Sequence, residues 1–449
     1  MSELAATAGR ASRPFEVTNR MVLAIAVPMT LAYLTTPFVG IVDTAVIGQL
    51  GDAGLIGAVA VGAILFDLIF TTCNFLRSGT TGLAAQAVGA GDREAERAIL
   101  YRACLLALAI GFVAIALQAP LVWFFVRLMG PSETVAAGTE IYLSARMLSA
   151  PFALANYAIL GWFLGLGRAG LGLLLQAGLA LINIALSLWF VLGLGLGIAG
   201  AAWATVAAEA IIAVVGGLLA MRELRGRWRI DRRTLFEMEA IRLMMGMNRD
   251  IMIRSFVLIG TFAAFTSIGA RSGDLVLAAN AVLMNFFLFA GYFLDGFAIA
   301  AEQIGGRAIG ARWRPAFDRA VRLTFLWGFA LAFLLSAVML VFGERFVALM
   351  TTAEDVRATA HVYMLWAVAT PLAGVAAFQF DGIYIGATWS REMRNTMLAS
   401  AAVFILVLWT AGGLWGNHGL WMALNAFLLM RGVGMMVMLP RKRAETFGG

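Results

Sequence analysis

The sequence predicts an all-α integral membrane protein with twelve transmembrane helices in two six-helix lobes related by a parallel pseudo-two-fold repeat. Three observations carry this. The 449-residue chain is 61% hydrophobic and only 13% charged, with a mean hydropathy of +0.87, whereas a soluble chain carries about 25% charged residues. It supplies roughly a dozen apolar runs, each long enough for a ~30 Å hydrocarbon core, and lacks the short alternating segments of a membrane barrel. Its two halves also resemble one another at a constant spacing.

In chain order the spans fall at 21–47, 55–83, 97–126, 137–164, 170–192, 196–221, 246–269, 275–303, 318–342, 355–386, 395–414 and 418–438. The first run, Met21–Ile47, is too long for a signal-peptide core and lacks a small-residue cleavage site, so it reads as a retained span. Arginines cluster in alternate connections: Arg93, Arg97 and Arg102, then Arg222 to Arg233, Arg307 to Arg319, Arg391 and Arg394, and the tail Arg441, Lys442 and Arg443. The opposite connections are short or carry acids such as Glu133, Asp274, Glu354 and Asp355. The positive-inside rule puts the basic side and both termini in the cytoplasm. The net charge of +7 thus reports orientation and not nucleic-acid binding.

The expected division is a cytoplasmic N-terminal tail at 1–20, an N-lobe at 21–221 and a cytoplasmic linker at 222–245. A C-lobe at 246–438 and a cytoplasmic C-terminal tail at 439–449 complete it. Across the linker, Gln86-Ala87-Val88-Gly89-Ala90 pairs with Arg307-Ala308-Ile309-Gly310-Ala311, an offset of 221 (310 − 89). Tyr142 and Tyr363, Gly161 and Gly382, and Gly165 and Gly386 share that offset. An even number of spans per half gives both halves one topology, hence a parallel repeat with the substrate path between or within the halves.

The repeat does not extend to Asp43, which stands opposite Ala264. Asp43 lies in the first span together with Pro28 and Pro37. A carboxylate inside a span costs about 2.5–3.5 kcal/mol and is rarely kept without use. A proline removes one backbone hydrogen bond and bends its helix. A helix whose shape answers to the charge on one acid is a transport element and not an anchor. Cys73 and Cys104 form no disulfide framework, and His361 and His418 give no metal-binding pattern. No cofactor or metal is expected.

The runs PFVGIVDTAVIGQLG, FLRSGTTGLAAQAVGAGD, FDGIYIGATWSREMRN and WGNHGLWMALNAFLLMRG resemble the multidrug and toxin extrusion (MATE) family, with closest similarity to its DinF branch. The resemblance covers about residues 15–440. It implies two six-helix lobes that alternate between outward-open and inward-open states. It also implies export of organic cationic or amphipathic compounds against entering protons or sodium. Asp43 is similar to the family's first-helix coupling acid and Pro28 to the proline at which that helix bends. Asn183 and Thr205 match polar residues of the same site. Ser187, one turn after Asn183, stands where many relatives carry a second aspartate, which favours Asp43 as the sole titrating acid of that lobe.

The blander alternatives are specific. Asp43 serves structurally if it only pairs with a hydroxyl or helix end, and Asn183, Ser187 and Thr205 serve as packing contacts worth about 0.6 kcal/mol each. In the second half, Asp295 and Asp381 either line a cargo path or pair with arginines such as Arg254. Glu302 is expected to pair with Arg307, and Asp67 and Glu209 to be structural acids, with Arg77 a partner for Asp67. Asn285, Met284 and Phe287 are candidate cavity residues. The expected function is a proton-coupled multidrug exporter of the bacterial inner membrane that acts as a monomer on small organic cations, with sodium as the other coupling ion. A flippase for lipid-linked precursors is the alternative. A membrane-embedded enzyme would need a catalytic set that these spans do not offer.

Overall fold

The computed structural model describes residues 13–50, 53–130, 132–226 and 228–448. The expected N-terminal tail therefore lies largely outside the described residues, as do Arg227 and the side chain of Asp67. All regular structure among the described residues is helical. The helices are α1 (Asn19–Gly48), α2 (Ala53–Thr71), α3 (Phe75–Ala90), α4 (Arg93–Ala116), α5 (Gln118–Met129), α6 (Glu133–Met147), α7 (Ala150–Gly165), α8 (Ala169–Ser187) and α9 (Gly197–Glu223). After the connection come α10 (Arg232–Leu235), α11 (Met238–Arg271), α12 (Asp274–Gly310), α13 (Arg314–Met350), α14 (Glu354–Gly386), α15 (Ser390–Val407), α16 (Gly413–Trp415) and α17 (Asn417–Phe447).

Ten of the described helices are long and apolar enough to cross a membrane, and a bent pair makes an eleventh. The expected second span is broken: α2 and α3 are joined by a 3-10 turn at Thr72–Asn74, where Asn74 Oδ1 accepts from Arg77 Nε at 3.0 Å. The third span divides between α4 and α5 because Pro120 has no N–H for the carbonyl of Ala116. The fourth bends by 52° between α6 and α7, with Pro151 in the first turn of α7. A hydropathy reading averages over such breaks, so each of these spans looked like one helix in the sequence.

The repeat is legible in the backbone. Left-handed residues recur in pairs 221 positions apart (312 − 91): Gly91 with Arg312, Gly167 with Thr388, and Gly195 with Gly416. Turns of π-helix close the fifth span at Leu188–Gly193 and the eleventh at Leu408–Gly412. The QAVGA and RAIGA segments pack reciprocally. A side chain at Gly89 would strike the carbonyl of Arg307, and one at Gly310 the carbonyl of Gln86. The α3 and α12 backbones touch at two sequence-equivalent points, which only glycine allows.

The chain forms two compact units. Unit 1 comprises residues up to Thr30, Ala85–Gly91 and Arg249–Gly449; unit 2 comprises Leu31–Ala84 and Asp92–Asn248. Helix α1 is thus shared, passing from unit 1 to unit 2 just after Thr30. Unit 1 has an aromatic core around Phe265, Phe286, Phe404, Trp421 and Phe427. In unit 2, Val46, Ile47, Ala58, Tyr142, Ile198 and Ala202 pack together. Gly310→Ala, which overfills a backbone contact, should destabilise the detergent-solubilised protein by about 1–3 kcal/mol. Gly246→Ala, at a helical site with open space around it, should leave the thermal midpoint unchanged or raise it. Equal midpoints for the two variants would refute the close crossing.

Candidate functional site

Helix α1 carries Asp43 four turns beyond Pro28, and in unit 2 its carboxylate meets α8. Ser187 Oγ donates to Asp43 Oδ1 at 2.8 Å. One turn earlier on α8, Asn183 Nδ2 donates to Thr205 Oγ1 on α9 at 2.8 Å, and that hydroxyl donates onward to the carbonyl of Ala201 at 3.1 Å. Asn183, Ser187 and Thr205 are buried, while Asp43 is half-buried. The structure brings all four residues expected of the coupling site together. Asn183 Oδ1 is buried and accepts from no group among the described residues.

These residues border a cavity of about 330 Å³. Asp43, Asn183 and Thr205 line it, together with Arg146, Tyr157 and Glu209. Arg146 comes from α6. Its guanidinium lies over the Phe66 ring at 3.7 Å, and its Nη1 donates to Ser149 Oγ at 2.5 Å. Glu209 follows Thr205 by one turn of α9, so both face the same side. Asn156 Nδ2 donates to Glu209 Oε2 at 2.6 Å and to the Glu209 carbonyl at 3.0 Å. Sequence reasoning did not single out Arg146, although a lone arginine in the middle of an apolar span was the available signal. It placed Glu209 among the structural acids, whereas Glu209 lines the same cavity as Asp43.

In unit 1, Asp381 is matched by two bases. Asp381 Oδ2, on α14, accepts from Arg254 Nη2 of α11 and from Arg431 Nη2 of α17, the latter at 2.6 Å. Asp295, on α12, adds a favourable electrostatic interaction with Arg431. The pairing with Arg254 was among the sequence alternatives; Arg431 was not. Phe287 is buried in the unit 1 core and Met284 packs against that core. Asn285 is exposed and turns its amide back to the carbonyls of Ala281 and Val282. Arg307 lies over the Phe15 ring at 4.4 Å instead of pairing with Glu302. Residues five apart on a helix point about 140° away from each other. Pro28 lies inside α1 and, lacking an N–H, leaves the carbonyl of Ala24 without its helical donor.

The MatE family model matches residues 28–189 and 251–410, one stretch in each half. The chain is 40% identical to DNA damage-inducible protein F of Escherichia coli (strain K12) over 419 residues, 93% of this chain and 91% of that protein. It is 28% identical to the probable multidrug resistance protein NorM of Deinococcus radiodurans over 451 residues, 93% of this chain and 94% of that protein. A solved MOP superfamily transporter from Pyrococcus furiosus superposes with a TM-score of 0.85 at 17% identity, covering 95% of this chain and 96% of that one. This last likeness is one of fold.

The Asp381 cluster makes a direct prediction. Removing one partner of a buried ion pair strands the other, at about 3–5 kcal/mol. Arg431→Met should therefore lower the thermal midpoint of the detergent-solubilised protein far more than Arg441→Met, which breaks an exposed pair with Glu445. A fluorescence melting comparison checks this, and similar midpoints would show that Arg431 does not hold unit 1 together.

Proposed function

This chain belongs to the MatE family, whose members are membrane transporters and not enzymes, and we propose that it is a proton-coupled multidrug exporter of the bacterial inner membrane. In this reading residues 21–221 and 246–438 form the two lobes of an alternating-access machine, and both termini and the 222–245 linker face the cytoplasm. The cargo is a small organic cation or amphipathic compound, in keeping with relatives named for multidrug resistance. The coupling ion is H⁺, no cofactor takes part, and the chain works as a monomer.

The observation that carries the reading is the placement of Asp43. It lines a cavity that also holds Arg146 and Glu209, and accepts a hydrogen bond from Ser187 in place of a permanent ion pair. A carboxylate held by a hydroxyl can gain and lose a proton without stranding a buried partner charge. Ionised, it accepts from Ser187 and draws a cationic cargo. Protonated, it gains a donor and loses its attraction for the cargo. The missing donor at Pro28 lies two residues before the point at which α1 passes from unit 1 to unit 2, so a bend there re-aims the segment that carries Asp43.

The test uses proteoliposomes of the full chain with an imposed pH gradient and no sodium, following ethidium. Wild type should accumulate the dye, and Asp43→Asn should lose at least about tenfold of that rate, the scale on which a proton-transfer group acts. Equal rates in both proteins would sink the assignment of coupling to Asp43. Transport that appears only after sodium is added would replace the proton with sodium as driving ion.

A further inference from the structure

We propose that Glu209 is a second proton-binding acid of the unit 2 cavity and Arg146 its fixed countercharge, so that one proton is exchanged for one singly charged organic cation. This inference rests on the proton-coupled reading above and specifies its stoichiometry.

Ser187 takes away the second acid that α8 carries in many relatives, yet α9 supplies a carboxylate to the same cavity. Glu209 is 8% exposed and is held by Asn156, an uncharged donor that stabilises either protonation state. Arg146 is fixed from two sides, by the ring of Phe66 and the hydroxyl of Ser149. Its charge acts through space on both Asp43 and Glu209. Among the described residues, the other polar groups facing the cavity from the surrounding helices are uncharged near neutral pH. They are Thr35 from α1, Tyr142 and Tyr157 from α6 and α7, Gln176 and Asn183 from α8, and Thr205 from α9; a phenol ionises only near pH 10.

The charge count follows. With both acids ionised and Arg146 cationic, the cavity carries one net negative charge. An apolar enclosure penalises net charge, so the cavity accepts either one monovalent cation or one proton, and accepting either removes the attraction for the other. The proton arrives from water, forms one O–H bond on a carboxylate oxygen, and leaves by the reverse step on the other side of the membrane. Asn183 Oδ1, buried and without a donor among the described residues, belongs to the same cavity lining. Exchange of one H⁺ for one monovalent cation moves no net charge, so the pH difference drives it and the membrane potential does not.

The experiment reconstitutes the full chain, fixes the pH gradient, clamps the potential with potassium and valinomycin, and measures steady-state ethidium accumulation. A single uncompensated charge would change the accumulation ratio by about 50-fold per 100 mV. Wild type should show no such change. Glu209→Gln leaves the cavity neutral and should lose about tenfold or more of ethidium accumulation. Arg146→Met makes it doubly negative, so two protons exchange per dye and accumulation should become potential-dependent by about 50-fold per 100 mV. The double variant Arg146→Met/Glu209→Gln returns the net charge to minus one and should recover ethidium accumulation and its indifference to potential.

Potential-dependent accumulation by wild type overturns the stoichiometry whatever the variants do. Wild-type behaviour in Glu209→Gln, or a double variant no better than that single one, overturns the roles of Glu209 and Arg146 while leaving proton coupling intact. A wild type indifferent to the pH gradient overturns the proton-coupled reading itself.

Discussion

The constraint on which both units depend is that a charge inside an apolar span must be balanced within a few ångströms or be able to neutralise itself. Unit 1 takes the first course. Asp381 is gripped by Arg254 and Arg431, with Asp295 nearby. Two guanidinium groups from different helices converge on this one carboxylate, which ties α11, α14 and α17 together. Unit 2 takes the second course. Asp43 is held by a hydroxyl, Glu209 by an amide, and Arg146, which lines the same cavity, is committed to a ring and a serine. Neither acid shares a hydrogen-bonded base of the kind that holds Asp381.

The duplication shows the same contrast. The halves share their turns closely enough that left-handed backbone recurs at an offset of 221 residues, even where the second copy must place Arg312 or Thr388 at positive φ. A β-branched residue such as Thr388 meets real strain in that conformation. The turn takes the same backbone conformation with Gly167 in the first half and Thr388 in the second. The reciprocal crossing of Gly89 and Gly310 is another shared contact. What the halves do not share is the charge in the spans, because Asp43 has Ala264 as its counterpart.

The fold was legible in the sequence because it is written in quantities that survive averaging: hydropathy over about 20 residues, arginine asymmetry and a constant repeat offset. The breaks within spans were less legible. Pro120 and Pro151 announce two of them, but the 3-10 turn before Phe75 depends on the local bond between Asn74 and Arg77. Of the site, Asp43 stood out as a carboxylate inside a span, whereas Ser187, Asn183 and Thr205 were found only through the resemblance to a known family. Arg146 and Arg431 were missed since their meaning lies in which distant helices they approach, information no single span contains. Met284 and Phe287 illustrate the opposite difficulty. Soft apolar side chains look alike in sequence whether they line a cavity or fill a core, and here both pack in the core of unit 1.

The shared helix α1 links the chemistry to a mechanical response. Between Ala26 and Thr30 its backbone lies so close to Gly296 of α12 that no side chain fits between them, and Thr30 Oγ1 donates to the carbonyl of Phe293 at 3.4 Å. This stretch is anchored in unit 1 and contains Pro28. Asp43 lies thirteen residues beyond Thr30, about 20 Å along the helix axis at 1.5 Å per residue. Asp43 thus lies at the far end of a helix whose near end is clamped. The helix can yield most easily where a proline interrupts its hydrogen-bond ladder, at Pro28 and Pro37. Two prolines, one inside the clamp and one between clamp and acid, put the compliant points of α1 between Asp43 and the anchor. A proline beyond Asp43 would leave that stretch stiff.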